Sequence, residues 1–292
     1  MKRLFILIFC CLLGVNMNAG KPIKQLNKAC QLYFDGKYSQ ASKVFEAVFE
    51  SDGNYFALYS AGCSARLAGD YRRAAILFER CISGGYYEDG DVYFRLAECF
   101  LNENDKENAL AALETGWADF PQNQQILLGL INFYVTNGDV SEELIALLRL
   151  AQGNDPGYAS LYYYMEGNVH SALGNYEEAI AAYEKSNEVD PAFEYGLIGI
   201  GTLHYDRASE LYGKIIAEEE NADYEILLKE FRTSLEAAIE PLEKAFRMTS
   251  DEDLKVSIAK RLVSIFGYFK EDDERYNEVY EKYAGIAAES QY

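Results

Sequence analysis

Two histidines, four internal cysteines and one run of glutamates are the side chains here with the greatest chemical reach. His170 and His204 stand 34 residues apart. Two imidazoles could ligate a metal if a carboxylate joined them, but metal sites usually take three or four ligands in fixed geometry. The plainer reading is two interior rings at matching places in successive helices. Cys30, Cys63, Cys81 and Cys99 allow three full pairings, and spacing does not choose among them. A Cys63–Cys81 bridge is conceivable within one helical hairpin, and small buried residues are the alternative. A cysteine nucleophile needs a neighbouring base, and both histidines lie well beyond all four cysteines. The run Glu218-Glu219-Glu220 lacks the interleaved Asp/Asn/Gly loop of a calcium hand and reads as a solvated turn. There is no Gly-rich phosphate loop, no Cys-x-x-Cys and no His-Glu-x-x-His. The expectation is a protein with no catalytic residue, no metal site and no cofactor.

The charge balance points the same way. The chain carries 27 Lys plus Arg against 47 Asp plus Glu, a net charge of -20. Phosphate backbones and anionic lipid headgroups are attracted by basic stripes, and none is visible. Tyrosine occurs 24 times and tryptophan once, a bias that suits amphipathic helix rims and interaction surfaces. Residues 1–20 read as a signal peptide. Lys2 and Arg3 precede an apolar run from Leu4 to Leu13, and Asn16 to Gly20 form a small-residue tail with cleavage after Ala19 or Gly20. The run falls short of the roughly 20 residues that span a bilayer. An uncleaved anchor is the alternative. The protein is expected to be exported, periplasmic or secreted, with no membrane span after cleavage.

The elements that must position any site are set by a repeat. Short turns begin at Gly36, Gly69, Asn104, Gly138 and Gly174, spaced 33, 35, 34 and 36 residues apart. Five residues after each start stand Ala41, Ala74, Ala109, Glu143 and Ala179. Nine after stand Phe45, Phe78, Leu113, Leu147 and Tyr183. Pro121, Pro156 and Pro191 recur 35 apart. Each unit predicts two antiparallel helices with apolar residues at helical spacing. Gly or Asn ends the first helix in a left-handed conformation. Asp70, Asp105, Asp139 and Asn175 are placed to cap the second. Gly62, Ala97 and Gly167 on first helices, and the alanines on second helices, permit close approach. One hairpin cannot bury its apolar face alone, so hairpins must stack.

The pattern resembles the tetratricopeptide repeat (TPR) family of exported bacterial type. The fullest match runs Tyr163-x3-Gly167, Leu173-Gly174-Asn175-Tyr176-Glu177-Glu178-Ala179, Tyr183, Ser186 and Asp190-Pro191. The fourth repeat departs from it, with Ile131 and Glu143 where small residues are preferred. The resemblance implies an all-α fold, a right-handed superhelix of antiparallel helix pairs. About six to seven repeats are expected in this TPR solenoid, with an elongated sixth pair. Residues 21–193 supply five pairs, 194–250 an elongated pair with an inserted arm, and 251–292 a capping pair.

The elongation is read from one displaced match. Gly201 holds the small first-helix position of the sixth repeat, and its partner alanine is Ala238, 37 residues on instead of 12. About 25 residues are therefore added, both helices lengthening and joining near Glu220 to Asp223. The arm, 205–231, either packs on the array or contacts a partner. Pro241 lies in the second long helix and predicts a kink near Ile239. A break around Lys270 to Asp273 divides the last two helices.

In such an architecture first helices line a concave groove. The expected partner-binding residues are Tyr59 and Arg66, with Cys63 between them; Phe94, Arg95 and Glu98; Leu128 and Asn132; Tyr164 and Asn168; and Tyr195, Ile198 and Thr202. Aromatic anchors interspersed with Arg and Asn suit an extended peptide or a helix. Family members that clamp a C-terminal carboxylate place lysines beside such asparagines. Those lysines are missing here, so the groove is not expected to capture a carboxylate. The expected function is a protein–protein interaction scaffold or adaptor of the cell envelope. The alternative is a structural component of a larger envelope assembly.

Overall fold

In a computed structural model, residues 21–217 and 224–288 are described. The expected targeting segment 1–20, the Glu218–Glu220 turn and the join at 220–223 lie outside them. Among the described residues the chain is helical throughout, with fourteen α-helices, three single 3-10 turns and no strand. It divides into two compact units, the first ending at Asn137 and the second starting at Gly138.

The first unit holds α1 (Lys21–Phe34), α2 (Tyr38–Asp52), α3 (Tyr55–Leu67), α4 (Tyr71–Ser83), α5 (Asp91–Asn102), α6 (Lys106–Asp119) and α7 (Gln124–Thr136). The second holds α8 (Glu142–Asn154), α9 (Ala159–Ala172), α10 (Tyr176–Val189), α11 (Tyr195–Ala217), α12 (Tyr224–Met248), α13 (Glu252–Asp272) and α14 (Asn277–Ala288). They follow seven repeats in sequence: three packed helix pairs in each unit, with α7 and α8 of the fourth repeat falling on either side of the division. The fold is all-α and of TPR type. The fourth repeat lacks both small residues: Ile131 is buried and Glu143 is exposed.

The turn chemistry is as the sequence predicts. Gly36, Gly69, Gly138 and Gly174 all take positive φ, and Asn104 does so at 59°. Asp70 and Asp105 cap their helices by accepting from Arg73 N at 3.3 Å and Asn108 N at 3.2 Å. Two expected caps are corrected. Asp139 does not start α8; extended Ser141 does, accepting from Leu144 N at 3.3 Å. Ser141 is followed at once by Glu142 and Glu143, whose charges favour a helix N-terminus. Asn175 makes no capping bond. Its side-chain amide instead lies 3.4 Å from His170 Nδ1.

The small residues work as spacers. Ala41, Ala74, Ala109, Ala179 and Ala238 have no exposed surface. A Cβ on Gly62 would sit 2.7 Å from the Phe78 ring, and one on Gly201 would sit 2.5 Å from Leu242. Phe78 follows Ala74 by four residues and Leu242 follows Ala238 by four, so the sixth pair restores the ordinary register beyond its insertion. Each such side chain, fully buried, contributes about 1.5–3 kcal/mol.

The elongated pair is α11 with 23 residues and α12 with 25. Pro241 lies inside α12, which continues unbroken to Met248. The following helix, α13, is itself 21 residues long and covers one flank of the extension. The Phe231 and Tyr268 rings meet edge-on at 4.9 Å, and Arg232 pairs with Asp272 at 2.7 Å. Ala208, Leu211, Ile215, Phe231 and Leu235 share one core with Ile265, Phe266 and Phe269. On this flank the arm packs on the array. The final break falls at Asp273, and α14 buries only Tyr283 fully while Glu278 and Glu281 face solvent.

Candidate protein-binding surface

In the first unit the expected residues of α3 and α5 converge. Asp91 opens α5, where a carboxylate suits the positive end of the helix dipole. It is only 3% exposed. The Tyr59 hydroxyl donates to Asp91 Oδ2. Arg95 Nε, one turn on, donates to Asp91 Oδ2 at 2.7 Å and to the Tyr59 oxygen at 2.9 Å. Glu98 Oε2 lies 3.5 Å from Arg66 and 3.7 Å from Arg95, ion-pair distances without a hydrogen bond. Burial holds the Tyr59 hydroxyl well above its usual range, so it remains a donor at neutral pH.

These polar groups are used mainly on one another. The network ties α3 to α5 and neutralises two cations with two carboxylates. Asp91 was not among the expected residues. Its signal was the i,i+4 spacing to Arg95, which pairs side chains on one helix face. Phe94 lies against α7 at Gly129, where a Cβ would approach its ring to 3.1 Å. Leu128 and Asn132, also on α7, face solvent.

In the second unit α9 and α11 bring together Tyr164 and Tyr195, whose ring centroids are 5.7 Å apart. Phe193, not expected from sequence, completes the cluster at 6.1 Å from Tyr164 and 5.3 Å from Tyr195. Its place just after Pro191 marked it as turn rather than helix. Tyr195 remains 38% exposed. Exposed Asn168 accepts from the Tyr183 hydroxyl through Oδ1 at 2.9 Å, leaving its amide N–H groups for other acceptors. Ile198 packs on the core of the elongated pair. Thr202 is half-buried, and its hydroxyl is enclosed without a hydrogen-bond partner among the described residues.

The histidines have separate environments. His170 is buried, with Nε2 3.8 Å from Glu166 Oε1. Glu166 in turn accepts from Arg149 Nε at 2.7 Å and Gln152 at 2.6 Å, binding α8 to α9. His204 Nδ1 shares a hydrogen bond with the Tyr176 hydroxyl. Among the described residues no three His, Cys, Asp or Glu side chains gather as metal ligands would. Cys63, Cys81 and Cys99 are free thiols, so the conceivable Cys63–Cys81 bridge is not formed. Burial pushes the Cys63 thiol up to about 11 and those of Cys81 and Cys99 to about 12. Thiols so protonated at neutral pH are weak nucleophiles. No described helix is long and apolar enough to cross a membrane.

Comparisons with known proteins agree with this architecture. One tetratricopeptide repeat family profile matches residues 161–193, and another matches 59–116 and 94–159. Tetratricopeptide repeats are thus matched over residues 59–159 and 161–193. Comparison with curated proteins finds no match. A tetratricopeptide repeat protein from Parabacteroides merdae is 15% identical, aligned over 90% of this chain and 98% of its own, with a TM-score of 0.50. A TPR repeats protein from Bacteroides fragilis is 16% identical over 85% of this chain and 98% of its own, with a TM-score of 0.40. YrrB, described as a TPR protein with an unusual peptide-binding site, is 20% identical over 64% of this chain and 95% of its own, with a TM-score of 0.49. At these identities the likeness is one of fold. The repeats support a protein–protein interaction scaffold.

Proposed function

We propose that this scaffold is a non-enzymatic adaptor of the cell envelope. It holds a segment of a partner protein on the first-helix surface of its second unit. The carrying observation is the ring cluster of Tyr164, Phe193 and Tyr195 beside Asn168. It combines rigid aromatic area with amide N–H groups fixed by Tyr183. Such sites anchor peptides at low entropic cost. In the first unit, Leu128 and Asn132 on α7 offer the corresponding exposed positions, while Tyr59, Arg66, Arg95 and Glu98 tie α3 to α5.

Placement in the envelope rests on Lys2, Arg3 and the apolar run Leu4–Leu13. The acidic balance opposes nucleic-acid binding. The test is photo-cross-linking in intact cells from position 168 or 195, with exposed Glu184 on α10 as the control. One recurrent partner from 168 and 195, absent from 184, is expected. Equal yields from all three positions, or self-links alone, would overturn the reading. Fractionation of the same cells should place a chain shortened by 19 or 20 residues outside the cytoplasm; a full-length cytoplasmic chain would refute export.

A further inference from the structure

The insertion in the sixth pair is covered on one side only. On one flank α13 is lengthened to match it. On the other, α10 keeps its ordinary 14 residues and begins at Tyr176. The first half of α12 therefore overhangs the start of α10, and a cleft of about 780 Å³ opens beneath it. Its size lies within the range of ligand sites, roughly 300–1,000 Å³.

One wall is Tyr176 with His204 and Arg207 of α11; the other is the face of α12 from Glu225 to Ala237. Ile226, Lys229, Glu230, Thr233 and Ala237 recur at helical spacing along that face, a stripe about 16 Å long at 1.5 Å per residue. Ile226 is 57% exposed, an apolar side chain held open over a cleft rather than into a core. The Arg207 guanidinium stacks on the Tyr176 ring at 4.5 Å. That contact holds a group suited to a carboxylate at the wall of the cleft. Neither Arg207 nor Lys229 forms an ion pair among the described residues, although most arginines in this acidic chain do.

We propose that this cleft binds a short extended peptide segment of a partner protein, one presenting a carboxylate next to an apolar side chain. Arg207 and Lys229 receive the carboxylate and Ile226 the apolar side chain. The stripe accommodates about five extended residues at ~3.3 Å each. Glu225 and Glu230 share the lining, so its net charge is zero and a free anion gains little there. A peptide brings N–H donors as well as a carboxylate and satisfies both signs. The site is separate from the Tyr164–Tyr195 surface.

The test starts from a phage-displayed hexapeptide library selected on the full chain. Selected peptides are then synthesised, and their affinities measured by fluorescence anisotropy. Selection is expected to converge on Asp or Glu beside Leu, Ile or Phe. Affinity should fall at least tenfold in an Arg207→Gln/Lys229→Gln chain and in Ile226→Ser, and stay unchanged in Tyr164→Ala. All three cleft side chains are exposed, and an unchanged thermal transition confirms folding of each variant. No enriched peptide, no preference for a carboxylate, or binding that survives the double substitution would overturn the proposal. So would a cleft filled by self-association, seen as a concentration-dependent mass abolished by Ile226→Ser.

Discussion

Gly167 faces the ring of Tyr183 so closely that a Cβ there would stand 2.5 Å from two ring carbons. The ring cannot retreat, because Gly199 of the next pair approaches it to 2.6 Å by the same measure. Gly167→Ala should therefore destabilise the protein by about 1–3 kcal/mol through overpacking, although alanine is favoured over glycine in a helix by about 1 kcal/mol. Urea unfolding measures the change. In a Tyr183→Leu background the same substitution should become neutral or stabilising. An unchanged penalty there would show that the ring is not its cause.

Arg95 is the sole cation that hydrogen-bonds buried Asp91 among the described residues. Arg95→Ala leaves that carboxylate with the Tyr59 hydroxyl alone, and should cost about 3–5 kcal/mol, as broken buried pairs do. Tyr59→Phe removes one donor and should cost less, about 1–3 kcal/mol. Denaturation of the three chains side by side orders them. Equal losses would mean that the charge is satisfied elsewhere.

His204 gives acid sensitivity of a defined sign. Burial, then the Arg207 charge, lower its pKa below 6.5. The unfolded chain therefore binds the proton first as pH falls. Stability from this group is full above about 6.5 and declines as pH drops towards its folded value. His204→Gln should flatten that part of the stability–pH curve, on the acid side of about 6.5. A parallel slope in the variant would assign the acid sensitivity to other groups.

The two flanks of the arm should respond differently to truncation. Phe231 is buried against Tyr268, and Phe231→Ala should cost about 3–5 kcal/mol. Ile226 is exposed, and Ile226→Ser should stay within about 0.5 kcal/mol. Thermal unfolding of both separates them; comparable losses would mean that Ile226 is covered.

The helix pairs were legible because turn and spacer residues act locally. A left-handed turn needs Gly or Asn, and a close crossing needs Gly or Ala, so Gly174 and Gly201 declare their roles by type and spacing alone. The register of the sixth pair was legible for the same reason, Ala238 keeping its offset from Leu242. Capping was less so. Ser141 and Asp139 are both competent caps, and backbone geometry selects between them. The surface residues were the least legible. Tyr59 and Arg95 have the types expected of contact residues, but their partners come from different helices. Helix-face position shows which way a side chain points, not whether another side chain already uses its polar atoms. Phe193 and Asp91 were missed because each also meets a ring of another repeat, Tyr195 and Tyr59.

The restored register of the sixth pair makes its arm separable. In the fifth pair Gly174 and Asn175 join the helices between Gly167 and Tyr183. Ala208 and Ser234 stand at the same offsets from Gly201 and Leu242 once about 25 intervening residues are set aside. The insertion thus enters and leaves at one point of the repeat, like a branch on a stem. A chain shortened there would keep the Gly201–Leu242 crossing and lose the cleft. It would also uncover the second half of α13, where Tyr268 and Phe269 would face water. The arm and α13 are therefore matched in length, and a chain that trimmed one would have to trim the other.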